Sequence, residues 1–287
     1  MAIPSISSYP LPAAGSLPAN RVQWHADPAR AVLLVHDMQD YFLRFYEAGS
    51  PLLTTLVENI ARLRAWADAA GVPVVYTAQP TEQSKEERAL LNDMWGPGLT
   101  TADPSLQQVT AALAPAPHDT VLVKWRYSAF QRSNLQELMR EWGRDQLVIT
   151  GVYAHIGCMT TALDAFMRDI QPFMVADAVA DFSEREHRMA LDYVAGRCGA
   201  VVTAAELLGA GGTRVDIAWL RERLAPALDD QGYGADENLM DYGLDSLEVM
   251  NLVAALDQRG IKVSFEELAG TPTLNAWWAL VERKQAA

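Results

Sequence analysis

Two periodicities alternate between Ala31 and about Leu208. Short runs rich in β-branched residues predict buried strands at Ala31–His36, Val74–Thr77, Thr120–Lys124, Gln146–Thr150, Phe173–Asp177 and Ala200–Thr203. The stretches between them repeat their apolar positions at helical spacing. In Leu53–Ala70, the residues Leu53, Leu56, Val57, Ile60, Leu63 and Ala67 keep that spacing, and Gly71 followed by Pro73 predicts where the helix stops. Strands that are apolar throughout and alternate with helices predict an α/β fold of three layers, an open parallel sheet covered on both faces.

The pattern changes after Leu208. Leu208-Gly209-Ala210-Gly211-Gly212-Thr213 carries three glycines, which predicts a flexible linker over residues 209–214. The domain before it would span 1–208. Beyond it, over 215–287, the apolar spacing is helical throughout: Ile217–Leu228, Ser246–Arg259, a short Phe265–Ala269 and Leu274–Arg283. A small all-α, four-helix module is expected there. From Leu224 to Gln258 it holds eight acidic residues and no Lys or Arg.

Charge and cysteine content narrow the class of partner. The 287 residues carry a formal net charge of −13, which argues against a nucleic-acid groove or an anionic membrane as the main partner. Two cysteines, Cys158 and Cys198, are too few for a disulfide framework and fit a reducing compartment. Residues 1–20 have no basic start and are interrupted by Pro4, Pro10, Pro12 and Pro18, unlike a signal peptide. No apolar run approaches the ~20 residues of a spanning helix, so a cytoplasmic protein is expected. Five histidines without HxH or HExxH spacing give no metal-site pattern, so no metal is expected.

In open parallel sheets, ligands bind beyond the carboxyl ends of the strands. Asp37 follows the first predicted strand, Gln79 the second, Lys124 ends the third, and Tyr153 and Gly157 follow the fourth. Arg88 and Trp95 lie between the second and third.

This arrangement resembles the isochorismatase-like, or cysteine-hydrolase, superfamily. Its amidase members hold Asp, Lys and Cys at three such positions. Counted from Gly151, the nucleophile position falls on Gly157 and Cys158 comes one residue too late; a glycine there is what true isochorismatases carry. Three further segments, His36-Asp37-Met38-Gln39-Asp40-Tyr41-Phe42, Leu90-Leu91-Asn92-Asp93-Met94-Trp95-Gly96-Pro97-Gly98 and Lys124-Trp125-Arg126-Tyr127-Ser128-Ala129-Phe130, are similar to the bifunctional isochorismatase/aryl carrier proteins of catechol (enterobactin-type) siderophore synthesis. The resemblance covers almost the whole chain. It implies hydrolysis of isochorismate to 2,3-dihydro-2,3-dihydroxybenzoate and pyruvate, with Asp37, Gln79, Arg88, Lys124, Tyr153 and Gly157 on active-site positions.

The chemistry suits these residue types. Protonating the terminal carbon of a vinyl ether gives an oxocarbenium ion that water captures, so a general acid is needed and a protein nucleophile is not. Asp37 fits the acid, and Lys124 can neutralise and orient it. Arg88 can hold a carboxylate bidentately. Gln79 and Tyr153 can hydrogen-bond the substrate or the attacking water, Trp95 and Phe42 can wall the ring, and backbone N–H groups around Tyr153–Gly157 can donate at the start of the next helix.

In the second module, Asp241-Tyr242-Gly243-Leu244-Asp245-Ser246-Leu247 looks like the phosphopantetheine attachment motif of carrier proteins, with Ser246 as the modified hydroxyl. Val249, Leu252, Val253 and Leu256 form one apolar stripe for the bundle core. Leu247, Met250 and Ala254 form a second, which is a candidate docking face for partner enzymes. The resemblance implies a covalent 4'-phosphopantetheine. It also implies a phosphopantetheinyl transferase, a 2,3-dihydroxybenzoate-adenylating ligase and a condensation-domain synthetase as partners, and a homodimer. Two other readings differ in class: a cysteine amidase using Cys158, and a carrier protein on an inactive hydrolase scaffold.

Overall fold

Ser50, Pro51 and Gly71 delimit the first long helix. The Ser50 hydroxyl accepts from the Leu53 N–H, Pro51 occupies the first helical position, and Gly71 closes the helix at φ 67°, a left-handed conformation that glycine adopts without a Cβ penalty. The computed structural model describes residues 3–210, 215–228, 230, 232–257 and 261–285. The chain divides into two compact units, Met1–Gly211 and Gly212–Ala287.

The first unit is built on a six-stranded sheet: β1 (Ala31–His36), β2 (Val74–Ala78), β3 (Thr120–Val123), β4 (Gln146–Val152), β5 (Gln171–Ala180) and β6 (Ala200–Val202). All pairs are parallel, in the order β3-β2-β1-β4-β5-β6. The chain works outward from β1 to β3, then returns beside β1 and works outward the other way. The order therefore reverses between β1 and β4, where a crevice opens beyond the strand ends. Successive side chains of a strand point to opposite faces. On β1, Leu33 and Val35 join the core under helix α1 (Pro51–Ala70), while Val32 and Leu34 join the core on the other face. That second face is covered by α2 (Leu135–Glu141), α3 (Met159–Phe166) and α4 (Glu184–Arg197). Leu33 is fully buried, so truncating it to Ala is expected to cost about 2–5 kcal/mol.

Element boundaries depart from the sequence pattern in a few places. β2 reaches Ala78 and β4 reaches Val152. β5 extends at both ends, to Gln171 and Ala180; at the carboxyl end Ala178 and Ala180 are buried between neighbours despite alanine's weak strand preference. β3 and β6 each end one residue early, so Lys124 and Thr203 lie outside the strands. The edge strand β3 is not apolar-buried throughout, since Val121 and Val123 are exposed. Thr203 and Glu206 exchange side chain–backbone hydrogen bonds at the start of helix α5 (Ala204–Ala210), which takes in residues 209 and 210 of the expected linker. Linker residues 211–214 lie outside the described residues.

In the second unit, helices α6 (Ile217–Leu224), α7 (Ser246–Asp257), α8 (Phe265–Ala269) and α9 (Leu274–Gln285) enclose a core of Leu220, Leu224, Val249, Leu252, Leu256, Leu268 and Trp277. The Trp277 indole N–H donates to the Leu268 carbonyl at 2.8 Å. The first helix was expected to run to Leu228. It gives way at Ala225–Ala227 to a 3₁₀ turn containing Pro226, which has no N–H to continue an α-helix. Residues 258–260, at the expected end of Ser246–Arg259, lie outside the described residues, as does Asp229. Among the described residues, no helix is long and apolar enough to cross a membrane.

Candidate active site and carrier serine

The crevice between the ends of β1 and β4 holds a cavity of about 500 Å³. Asp37, Phe42, Gln79, Arg88, Trp95, Lys124, Tyr153 and Gly157 all line it, so every hydrolase-site residue read from the sequence comes to one place. They arrive from five separated segments, because parallel register puts the carboxyl ends of β1, β2, β3 and β4 side by side.

Asp37 leaves β1 in a left-handed conformation, φ 50°. Its N–H donates to the carbonyl and the hydroxyl of Thr77, and the Thr77 hydroxyl donates to Asp37 Oδ1 at 2.7 Å. Lys124 Nζ donates to Oδ2, also at 2.7 Å. Asp37 and Lys124 are both buried. Burial opposes the charge on Asp37, but the Lys124 charge and these two hydrogen bonds outweigh it and hold the carboxyl below its ordinary range.

Arg88, expected to hold a substrate carboxylate, comes from the charged stretch Glu82–Arg88, a pattern common on solvated helix faces. The structure buries it. Its one-turn helix, Lys85–Arg88, is closed by a capping box between Ser84 and Glu87, which ties up that carboxylate. Arg88 Nε donates to the Gly96 carbonyl at 2.7 Å and Nη1 lies 3.4 Å from Gln83 Oε1. No carboxylate pairs with it among the described residues, and desolvation pulls its pKa down. Gly98, at φ 58°, gives the guanidinium room, since a Cβ there would sit 2.5 Å from Nη2. Arg44 and Arg126 also line the cavity, so its four cationic side chains, with Arg88 and Lys124, outnumber the carboxylates of Asp37 and Asp103.

Two expected roles change. The Tyr153 hydroxyl donates to the Phe42 carbonyl at 2.9 Å, so its proton is committed to the scaffold, where it holds two cavity walls together, and only its acceptor lone pairs are left for a ligand; burial pushes its pKa well up. Three of the N–H groups expected to serve as donors, those of His155, Ile156 and Gly157, are committed as well. Those of Ile156, Gly157 and Cys158 all reach the Tyr153 carbonyl within the π-type turn Ala154–Cys158, and that of His155 goes to Asp181. Gln79 keeps its place because Gln39, itself buried, clasps its backbone N–H and carbonyl. Trp95 donates to the Tyr127 hydroxyl and packs on Phe182, and Phe42 packs edge-on against Tyr153.

Sequence reasoning gave no role to Thr77, Gln39, His36 or Phe182. Thr77 and His36 were findable as polar residues at strand ends; Phe182, which follows β5, carried no signal of its own. Cys158 does not line the cavity. It lies in the core on the far side of the sheet with its thiol 4.0 Å from the Thr150 carbonyl, and burial raises its pKa well above the ordinary thiol range. Away from the cavity, Asp68, His118 and Asp119 bring ligand atoms within 4.8 Å of one another, but Arg64 already occupies Asp119 at 2.5 Å.

In the second unit, Ser246 is exposed as the first residue of α7. Gly243 turns the chain at φ 95°, and Asp245 Oδ1 accepts from the Glu248 N–H, capping the helix. An accessible hydroxyl on a fixed helix start fits covalent attachment of a phosphopantetheine. Val249, Leu252 and Leu256 are buried and Val253 packs on the core, while Leu247, Met250 and Ala254 face outward, with Leu247 64% and Met250 60% exposed.

A sheet reversing at β1/β4 over an Asp–Lys pair, followed by a helical unit with a presented serine, defines a hydrolase joined to a carrier. The chain belongs to the isochorismatase family: the family model described as "Isochorismatase domain" matches residues 31–206, and that described as "Phosphopantetheine attachment site" matches 218–281. The chain is 55% identical over 285 residues to enterobactin synthase component B of Escherichia coli (strain K12), covering 99% of both chains. It is 46% identical over 304 residues to an isochorismatase of Bacillus subtilis (strain 168), covering 98% of this chain and 96% of that one. Among solved structures, a cysteine hydrolase from Pseudomonas syringae pv. phaseolicola 1448A superposes with a TM-score of 0.58 at 26% identity, covering 67% of this chain and 96% of that chain.

Proposed function

We propose that the first unit hydrolyses isochorismate to 2,3-dihydro-2,3-dihydroxybenzoate and pyruvate, and that the second carries an aryl acid, 2,3-dihydroxybenzoate, on Ser246 for nonribosomal siderophore synthesis. The hydrolase would occupy 1–210, through the end of α5, and the carrier 215–287. One observation carries the hydrolytic reading: a buried carboxyl, Asp37, faces an arginine-lined cavity where position 157 offers no side chain and Cys158 turns away.

Asp37 gives its proton to the terminal methylene carbon of the vinyl ether. Water adds to the resulting oxocarbenium carbon and returns a proton to the carboxylate. The hemiketal then collapses to pyruvate and the ring alcohol. Before substrate binds, Lys124 keeps Asp37 ionised; the two carboxylates of isochorismate, held near Lys124 and Arg88, offset that positive charge and let Asp37 take up its proton in the complex. Gln79 positions the substrate or the water, and Trp95 and Phe42 wall the ring.

On the carrier, the attached phosphopantetheine supplies a terminal thiol that holds an acyl group as a thioester. Ser246 provides the attachment oxygen. Leu247, Met250 and Ala254 present the docking face for the transferase, the adenylating ligase and the condensation-domain synthetase. Leu90 and Met167, exposed and lining one mostly apolar groove on the first unit, support a homodimer. Free, buried Cys158 and Cys198 support a cytoplasmic setting.

The test is to supply isochorismate to the full chain and follow pyruvate, then record intact mass after treatment with transferase, ligase, ATP and 2,3-dihydroxybenzoate. Pyruvate release and sequential mass gains of phosphopantetheine and acyl group support the reading. Pyruvate absent with loading intact would leave the alternative of a carrier on an inactive scaffold.

A further inference from the structure

Gly157 has no conformational need to be glycine. Its backbone is not among the positive-φ positions, so an ordinary L-residue could adopt it. What forbids a side chain there is His36. A Cβ built on Gly157 would stand 2.6 Å from His36 Nε2 and 3.1 Å from Nδ1, and closer still to Cε1.

The imidazole is not free to swing away. His36 is buried, Nδ1 lies 2.7 Å from the Val152 carbonyl, and Nε2 lies 3.4 Å from the Tyr127 carbonyl. The shorter contact places the ring proton on Nδ1, donating to Val152. The main chain of His36 is pinned as well. It pairs with Gly151 of β4, where a Cβ would stand 2.8 Å from the His36 nitrogen.

We propose that His36 is a specificity-determining residue: its imidazole fills the volume into which a nucleophile at position 157 would project, so the glycine and the histidine form one device that commits this cavity to acid chemistry and closes it to thiol chemistry. The proposal rests on the ether-hydrolase reading of the same cavity. It implies that restoring a cysteine at 157 alone does not restore a usable nucleophile, because two residues separate the two chemistries.

The test uses the full chain with Gly157→Ala, His36→Ala and the pair, followed by Gly157→Cys with and without His36→Ala. Overfilling by Gly157→Ala is expected to lower the Tm of the first unit by about 5 °C and kcat/KM by about 10²-fold. In the His36→Ala background the same substitution is expected to cost only about 1 °C, a non-additivity that marks direct contact. The introduced thiol is expected to react with iodoacetamide at least about tenfold faster once His36 is shortened, read by intact mass against the native cysteines. A Gly157→Ala protein with unchanged Tm and unchanged kcat/KM, equal penalties in both backgrounds, or an introduced thiol equally reactive with His36 in place would each overturn the proposal. The Tm and alkylation readings need no substrate. Failure of the unsubstituted protein to release pyruvate would count against the ether-hydrolase reading and leave the steric coupling to be judged on its own data.

Discussion

The ammonium of Lys124 lies 2.7 Å from one oxygen of Asp37, and the hydroxyl of Thr77 lies 2.7 Å from the other. Both carboxylate oxygens therefore have a donor, and the group is oriented before any ligand arrives. Replacing Asp37 with Asn keeps the shape and removes the transferable proton. The expected result is a fall in kcat of ~10²–10⁴, measured by coupled detection of pyruvate. A kcat close to that of the unsubstituted protein would remove Asp37 from the acid role.

Arg88→Lys tests the anion receptor. Lysine keeps the charge but loses the planar fork that bonds Gly96 and faces the cavity. Losing a charge-assisted contact to a carboxylate is expected to lower kcat/KM by roughly 10- to 150-fold, chiefly through KM. A variant with unchanged KM would show that substrate does not meet this guanidinium.

Ser246→Ala separates the two units. Isochorismate hydrolysis is expected to continue at the unsubstituted rate, while the mass increments of phosphopantetheine and of the acyl group both vanish. Acyl loading on the Ala variant would overturn the assignment of Ser246.

Met250→Asp probes the outward stripe of α7. Met250 is 60% exposed, so the change is expected to leave stability within about 0.5 kcal/mol. The rate of aryl loading by the ligase should nevertheless fall, by roughly tenfold for about 1.4 kcal/mol of lost apolar contact. Equal loading rates would place the docking face elsewhere.

His187 sets an acid limit on the first unit. It is fully buried, and desolvation brings its pKa down to about 4. Between that value and the unfolded value of about 6.5, the unfolded chain binds a proton that the native chain does not, so stability falls as pH is lowered through this window. The loss approaches about 3 kcal/mol at the bottom of the window. His187→Gln is expected to flatten the dependence of Tm on pH between about 4 and 6.5. An unchanged slope would assign the acid limit to another group.

Much of this site was legible because strand ends in a parallel sheet must converge. Position gave the strand-end segments that hold Asp37, Gln79, Lys124, Tyr153 and Gly157, the family resemblance singled these five out, and all five line one cavity. What position could not give is where each polar group spends its hydrogen bonds. Tyr153 was expected to hydrogen-bond the substrate or the attacking water, yet its proton goes to the Phe42 carbonyl, a partner 111 residues away, which narrows that role to accepting. Arg88 sits in a charged stretch that reads as a solvated face, and its burial depends on Gly96 and Gly98 folding back over it. The length of β5 was hidden for a related reason: its alanines extend as strand because of what lies on either side of them. Such facts are tertiary and leave no local periodicity.

Arg88 is 5% exposed, its guanidinium lines the cavity, and among the described residues no carboxylate pairs with it. A cation that faces the cavity without a partner carboxylate discriminates before any bond is broken. A neutral analogue of the same outline would fill the cavity and leave that charge uncompensated, with water driven off and nothing put in its place. Selectivity for an anion over its amide or ester is thus set by the empty protein, and it should persist in variants that have lost all turnover.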